Sequence, residues 1–431
     1  MGRIARVLGG VEVSDREIAD AVAAVEDEML ELLSRLVEAP TTLGNEEPGQ
    51  QVMREAFRDL LGLEPFDIPL DAELLRTHPQ ASPFSWDVSG KANVVADWPA
   101  AGSGGRSLVL NGHIDVVGPA SEGLWRTPPF SAARDDDWLY GRGSGDMKAG
   151  LAAIVGAVLG LRRLGLAPLA PVQLQSVVEE ECTGNGSLQC VVSALRPDAA
   201  VIPEPFPGVI PTAQVGVLWF HVDIAGAPAH VAEAGEGVNA IEAAYAIVAE
   251  LHRLEEELNE SPPPPLDDLE HPLNFNVGVI SGGDWPSTVA AECTLSCRIA
   301  SFPGTPVAEL KGRVEDAVGS AASWNSYLAA HPPVVRYDGF ACDGTLLTDD
   351  EPIVQALSSA YEAIAGSPAA TTPTTATTDV RAFIGAGIPA ACIGPLAEHI
   401  HGIDERVFLP SVMQTAQVLA LLVRDWCGLA G

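Results

Sequence analysis

Leu139-Tyr-Gly-Arg-Gly-Ser-Gly-Asp-Met-Lys-Ala-Gly150 sets an aspartate, Asp146, between a glycine-rich turn and a run, Met147 to Leu164, whose apolar residues fall on a helical period. A glycine-rich turn that opens a helix can cradle phosphate. Asp146 would put negative charge where the phosphate binds, however, and the G-x-G-x-x-G spacing is not matched. A carboxylate able to bridge two cations fits the stretch better, against the plainer alternative of an N-capping aspartate.

Outward from this turn, short apolar strands alternate with helices. Residues 107–111, Pro171 to Val178, Ala199 to Ile202 and residues 386–395 read as strands. Such alternation predicts an α/β fold with a mostly parallel sheet and covering helices. His113, Glu181, Glu204 and His401 each follow the carboxyl end of one of these strands, which is where open α/β sheets place their sites. Imidazole nitrogen and carboxylate oxygen suit Zn²⁺ or a similar divalent ion. One such segment means little; five ligand-type residues in this order, counting Asp146, predict a metallohydrolase.

Between residues 213 and 329 the texture changes. Val215 to Ile224 reads as a strand, Ala240 to Leu258 as a helix, Asn274 to Ile280 and Cys293 to Ile299 as strands, and Val307 to Ala322 as a helix. That order predicts a ferredoxin-like α+β unit. Because the chain must return to supply His401, the expected organisation is a catalytic domain of residues 1–212 and 330–431, with 213–329 inserted as a lid.

The neighbours of the ligand candidates add detail. His113 and Asp115 are two apart, so in extended chain they share a face, and Asp115 can fix the imidazole tautomer. Glu179, Glu180 and Glu181 would repel one another unless cations are near, and adjacent residues point to opposite sides. One can therefore ligate while its neighbour faces substrate. Glu204 lies between two prolines, which stiffen its backbone. Of His399 and His401 only one need bind metal. His230 falls inside the inserted segment, and taken alone could have no function.

The bulk numbers exclude much else. A length of 431 residues suggests two domains with ample core. A net charge of -34 repels phosphate backbones and anionic lipid heads, so neither nucleic acid nor membrane is an expected partner. The N-terminal Met1-Gly-Arg-Ile-Ala-Arg has no apolar signal core, and no run reaches the roughly 18 apolar residues of a membrane span. Seven scattered cysteines, without a CxxC pair, argue against a disulfide framework; Cys293 and Cys297 fit core packing. The expected compartment is the cytoplasm.

These residues resemble the zinc-dependent family that includes acetylornithine deacetylase, succinyl-diaminopimelate desuccinylase, aminoacylases and glutamate carboxypeptidase. The resemblance runs from about Asn93 to Arg406. Its most specific pieces are Gly112 to Val117, Tyr140 to Lys148, the Glu179–Glu181 run, Gly226 to His230 with Asn239-Ala240, and His401 with Glu405. It implies a catalytic domain with an inserted lid that mediates dimerisation. It further implies that Asp146 bridges two metal ions, with His113 and Glu204 on one and Glu181 and His401 on the other. Glu180 would be the general base, Asp115 the partner of His113, and His230 a residue reaching the partner subunit's site. Arg298 and Arg381 fall where the resemblance places groups that hold a substrate carboxylate. The chain departs from the family at Ala149, often Gly, and at Ala290, often Pro, which bears on lid specificity.

Two divalent ions bring four positive charges, of which Asp146, Glu181 and Glu204 remove three. The implied reaction is removal of a short acyl group from an N-acyl amino acid or related amine, with Zn²⁺ as the ion and Co²⁺ or Mn²⁺ able to substitute. A dipeptidase or carboxypeptidase on the same centre is the alternative. A non-catalytic binding homologue is a third reading, disfavoured by an intact Glu180. No G-x-S-x-G and no H-E-x-x-H occurs, which disfavours a serine hydrolase and a zincin.

Overall fold

The computed structural model describes residues 11–323 and 325–431; the expectation about Met1 to Arg6 lies outside them. Two helices open the described chain, α1 (Asp15–Ala23) and α2 (Glu26–Glu38), broken at Ala24-Val25. Six strands form the first sheet: β1 (Pro65–Pro69), β2 (Ala92–Trp98), β3 (Leu108–His113), β4 (Val172–Val177), β5 (Ala199–Ile202) and β11 (Ala390–Cys392), in the order β1-β2-β4-β3-β5-β11. The block β4-β3-β5-β11 is parallel. Strand β2 runs antiparallel both to this block and to β1, so the sheet is mixed. Strands β3, β4 and β5 are buried at every position, as strands covered on both faces must be.

Helix α3 (Ala149–Arg163) lies under this sheet with Ala149 to Leu161 all buried, and α7 (Leu409–Cys427) packs along it. Small residues make the approach possible: a Cβ on Gly156 would come within 2.6 Å of the Met29 sulfur. The segment Ser144–Arg163 corrects one expectation. By length and composition it could cross a membrane, but 94% of its apolar window is buried in the protein core. Helix α4 (Asn185–Ser193) covers the other face beside β1 and β2.

From β5 the chain runs out to a second sheet and then returns to β11. Strands β6 (Gly216–Ala225), β7 (Phe275–Gly282), β8 (Glu292–Ser301) and β9 (Val334–Arg336) lie in the order β7-β8-β6-β9, all antiparallel. The two-residue β10 (Ala341–Cys342) also pairs with β6. With α5 (Ala240–Asn259) and α6 (Val307–Ser323) between them, this is the ferredoxin-like order. The sheet takes in residues 334–336 and 341–342, which a boundary at 329 leaves in the other domain.

Alternation along β6 sorts its two faces. Leu218, Phe220 and Val222 pack with Leu295 and Ile299 of β8 against α5 and α6. Cys293 and Cys297 belong to this core, and all seven cysteines are free and buried. Val217, Trp219 and His221 point the other way, into a cavity shared with the first domain.

Candidate metal centre

His113 closes β3. Its Nδ1 must be a donor, because the atom it meets at 2.9 Å is the main-chain oxygen of Asp115, which can only accept. Nε2 is thereby the nitrogen that faces the centre, 3.0 Å from Asp146 Oδ1 and 3.7 Å from Glu204 Oε1. The Asp115 carboxylate is not its direct partner: Oδ1 stands 3.8 Å from Nδ1. Instead that carboxylate accepts the N–H groups of Glu180 at 3.2 Å and Glu181 at 3.0 Å. Asp115 thus fixes His113 through its main chain and the glutamate turn through its side chain.

Asp146 sits where the glycine-rich turn meets α3. Gly143 is left-handed at φ 78, and a Cβ on Gly145 would come within 2.3 Å of Ala397 Cβ, so neither position accepts a larger residue without movement. The turn is tied down by Glu405, whose Oε1 accepts from Gly145 N at 3.0 Å and Asp146 N at 3.2 Å. Its other oxygen is paired with the buried Arg142, which also donates to the Gly402 carbonyl at 3.0 Å. One ion pair therefore holds both the Asp146 turn and the loop carrying His401.

The three consecutive glutamates part company after β4. Glu179, left-handed at φ 64, turns its carboxylate away from the cavity to Lys91 Nζ at 2.8 Å, Trp86 Nε1 at 2.7 Å and Thr183 Oγ1 at 3.0 Å. Glu181 reaches His401 Nε2 at 3.0 Å, and His401 Nε2 is 3.4 Å from Asp146 Oδ2. Glu180 lines the cavity, and its carboxylate has no hydrogen-bond partner among the described residues. Of the two histidines, His401 joins the group and His399 does not.

Two donor sets result, His113–Asp146–Glu204 and Asp146–Glu181–His401, with the ligand atoms of each within 4.8 Å of one another. Asp146 offers Oδ1 to one and Oδ2 to the other. The electrostatics ask for cations. Burial, reinforced by nearby carboxylates, pushes the Glu180 and Glu204 carboxyls well above their usual range. Burial opposes ionisation of Asp146 too, but hydrogen bonds from His113 and His401 outweigh it and hold that carboxyl far below its ordinary value. Burial disfavours the imidazolium at His401, yet Asp146 and Glu181 push it up to about 11. Carboxylates that trap protons on two imidazoles are a donor set that divalent ions would satisfy with the ring nitrogens bare. The residues fit two such ions.

The centre opens into a cavity of about 630 Å³. Asp146, Glu180, Glu181, Glu204 and His401 form its floor, and the open face of the second sheet forms its roof. Arg298, on β8, is in that roof. Arg381 is not among the lining residues. It donates to the Thr183 carbonyl at 2.7 Å, stacks 4.7 Å over the Phe340 ring and borders a separate cavity of about 270 Å³. His230 is exposed on the lid, accepts from Ala232 N at 3.1 Å and does not line this chain's cavity. The sequence reading passed over Trp219 and Phe340. For Trp219 the available signal was an aromatic on the outward face of the strand Val215 to Ile224; Phe340 had none.

Two carboxylate–imidazole sets sharing one aspartate, placed at strand ends under a lid sheet, are the arrangement of a metal-dependent hydrolase. Residues 109–425 match the model of Peptidase family M20/M25/M40, and the chain belongs to that family. It is 29% identical over 375 residues to the N-formyl-4-amino-5-aminomethyl-2-methylpyrimidine deformylase of Halalkalibacterium halodurans, covering 80% of this chain and 85% of that one. It is 30% identical over 344 residues to acetylornithine deacetylase of Edwardsiella ictaluri, covering 78% and 84%. Among solved structures, a di-peptidase from Saccharomyces cerevisiae superposes with a TM-score of 0.76 over 96% of this chain and 98% of that one. At 14% identity that is a likeness of fold alone.

Proposed function

We propose that the protein is a two-metal amide hydrolase that removes a short acyl group from an N-acyl amino acid or related amine, with Zn²⁺ as the resident ion and Co²⁺ or Mn²⁺ as working substitutes. The observation that carries this is Glu180: a buried carboxylate in the cavity, near members of both donor sets, with no hydrogen-bond partner among the described residues. When bound, the ions supply polarisation of the amide carbonyl and acidification of a water molecule. Glu180 accepts the proton of the attacking water and passes it to the departing nitrogen as the C–N bond breaks. Asp115 keeps Glu180 in place by accepting its N–H. Arg298 offers its guanidinium to the substrate carboxylate.

The likeness to two deacylases supports the deacylase reading over the peptidase one. The second reading, a dipeptidase, is supported by a cavity roomy enough for two residues. A homodimer through the lid belongs to the same proposal. Strand β7 is an open sheet edge with Val279 and Ile280 exposed, and Tyr245 and Trp285 stand exposed on the same domain.

The test is amine release by the metal-loaded protein from N-formyl, N-acetyl, N-succinyl and N-carbamoyl amino acids and from dipeptides. Turnover of the N-acyl series above the dipeptides supports the deacylase; the reverse order establishes the peptidase. No turnover of any amide overturns both.

A further inference from the structure

The cavity roof carries a small apolar cluster, three of whose members, Val217, Trp219 and Phe340, line the cavity. Val217, Phe340 and Cys342 pack together on the face of the second sheet opposite α5 and α6, with Trp219 against them. An apolar cluster on a sheet face that looks into a binding cavity is available to substrate rather than to the fold.

Trp219 is held in place. Its main-chain N donates to the Phe340 carbonyl, and its ring meets the Phe340 ring edge-on at 5.4 Å. It also lies flat over Gly339, where a Cβ would come within 2.3 Å of Trp219 Cε3. Gly339 is left-handed at φ 94, so a side chain there is doubly disfavoured.

Register sets the rest of the roof. Trp219 is directly opposite Arg298, and Arg298 is opposite Asn276, so the three form one row across β6, β8 and β7. In the next row His221 faces Ser296, with Nδ1 2.9 Å from Oγ. The roof thus offers one guanidinium beside an indole and no carboxylate. The acids lining the cavity are Asp146, Glu180, Glu181 and Glu204, all of the metal centre. Asp223, further along β6, is paired with Arg336 and lies outside the lining.

We infer that Trp219 determines specificity, and that the preferred substrate carries an aromatic or bulky apolar group beside the scissile amide together with a carboxylate for Arg298. The inference rests on the amide-hydrolase reading above and narrows it. An aliphatic ammonium chain, as in N-acetylornithine, would be desolvated against Trp219, Val217 and Phe340 with a guanidinium for a neighbour, and is disfavoured.

The experiment compares kcat/KM of the metal-loaded full chain for N-acetylphenylalanine, N-acetylalanine and N-acetylornithine, in the wild type and in Trp219→Ala and Trp219→Leu. N-acetylphenylalanine should exceed N-acetylornithine by about tenfold or more, the scale on which hydrophobic pockets discriminate. Trp219→Ala should reduce the phenylalanine-to-alanine preference by about tenfold, with Trp219→Leu between it and wild type. Equal or better turnover of N-acetylornithine overturns the inference, as does an unchanged preference in a folded Trp219→Ala or, if that variant does not fold, in Trp219→Leu. If no amide is turned over, the hydrolase reading fails separately. The ranking is then read as calorimetric Kd, where equal or reversed affinities for the phenylalanine and ornithine compounds overturn it.

Discussion

The floor and roof of the cavity are built on opposite plans. On the floor, His113, Glu181 and Glu204 follow buried strands, Asp146 sits on a glycine-tight turn and His401 on a loop. Most are also anchored from behind: His113 by the Asp115 carbonyl, the Asp146 turn by Glu405, the Glu180–Glu181 turn by Asp115 and Glu179, and the His401 loop by Arg142. In the roof, the side chains project from one antiparallel sheet whose other face alone packs against helices. A floor residue cannot change without disturbing charge balance and buried hydrogen bonds, whereas a roof residue changes only what the cavity accepts. The comparison teaches that chemistry and selectivity are physically separable here: one sheet supplies each.

Breaking the floor should produce the largest effects. Asp146→Ala removes the one carboxylate common to both donor sets. Metal content should fall from up to two equivalents to below one, with activity lost; two equivalents retained in the variant, by elemental analysis, would show that Asp146 does not bridge. Glu180→Gln should leave metal content unchanged and reduce kcat about 10²–10⁴-fold, the usual worth of a positioned general base. Near-normal kcat would remove Glu180 from the role. Glu179 is then no substitute, since its carboxylate is bound to Lys91, Trp86 and Thr183 on the far side of the turn.

The unequal legibility of the two walls follows from the same difference. Strands such as Ala199–Ile202 and helices such as Val307–Ser323 were readable because apolar runs and periods are local. The donor residues of the floor were visible because ligating residue types after strand ends form a local pattern. Anchoring contacts were not: a spacing of two suggested carboxylate against imidazole for Asp115 and His113, but the backbone leaves β3 there and presents the carbonyl instead. The antiparallel strand Ala92–Trp98, between β1 and β4, went unread, since its pairing depends on where β4 lies. Roof residues depend on register between strands far apart in the chain, so the Asn276–Arg298–Trp219 row has no trace in the sequence. The stacking of Arg381 on Phe340 is likewise a tertiary contact with no local signal.

A milder perturbation probes the anchoring itself. Glu405 touches no cavity surface but accepts two N–H bonds at the Asp146 turn and pairs with Arg142. Glu405→Gln keeps the shape yet cannot accept from both N–H groups and from Arg142 at once. Metal affinity should drop about 10–100-fold, as for other residues that orient ligands from behind. Competition with a chromophoric chelator reads this independently of turnover. Unchanged affinity would mean that the glycine turn alone holds Asp146.

The smallest expected signal asks whether the roof is complete within one chain. His230 is exposed, stands outside its own cavity and lies on the domain that carries the open β7 edge. If lids pair as proposed, His230 completes the partner's site, and His230→Ala and Glu180→Ala should each be nearly inactive alone. Mixed and exchanged at equal amounts, half of the dimers are heterodimers. In each, one site has both lesions and the other has a good glutamate with the partner's good histidine. Recovery should therefore approach about a quarter of wild-type activity if the sites act independently. Sedimentation confirms that subunits have exchanged. No recovery after exchange would confine His230 to its own chain or remove it from the reaction, and the roof would then be the work of one sheet alone.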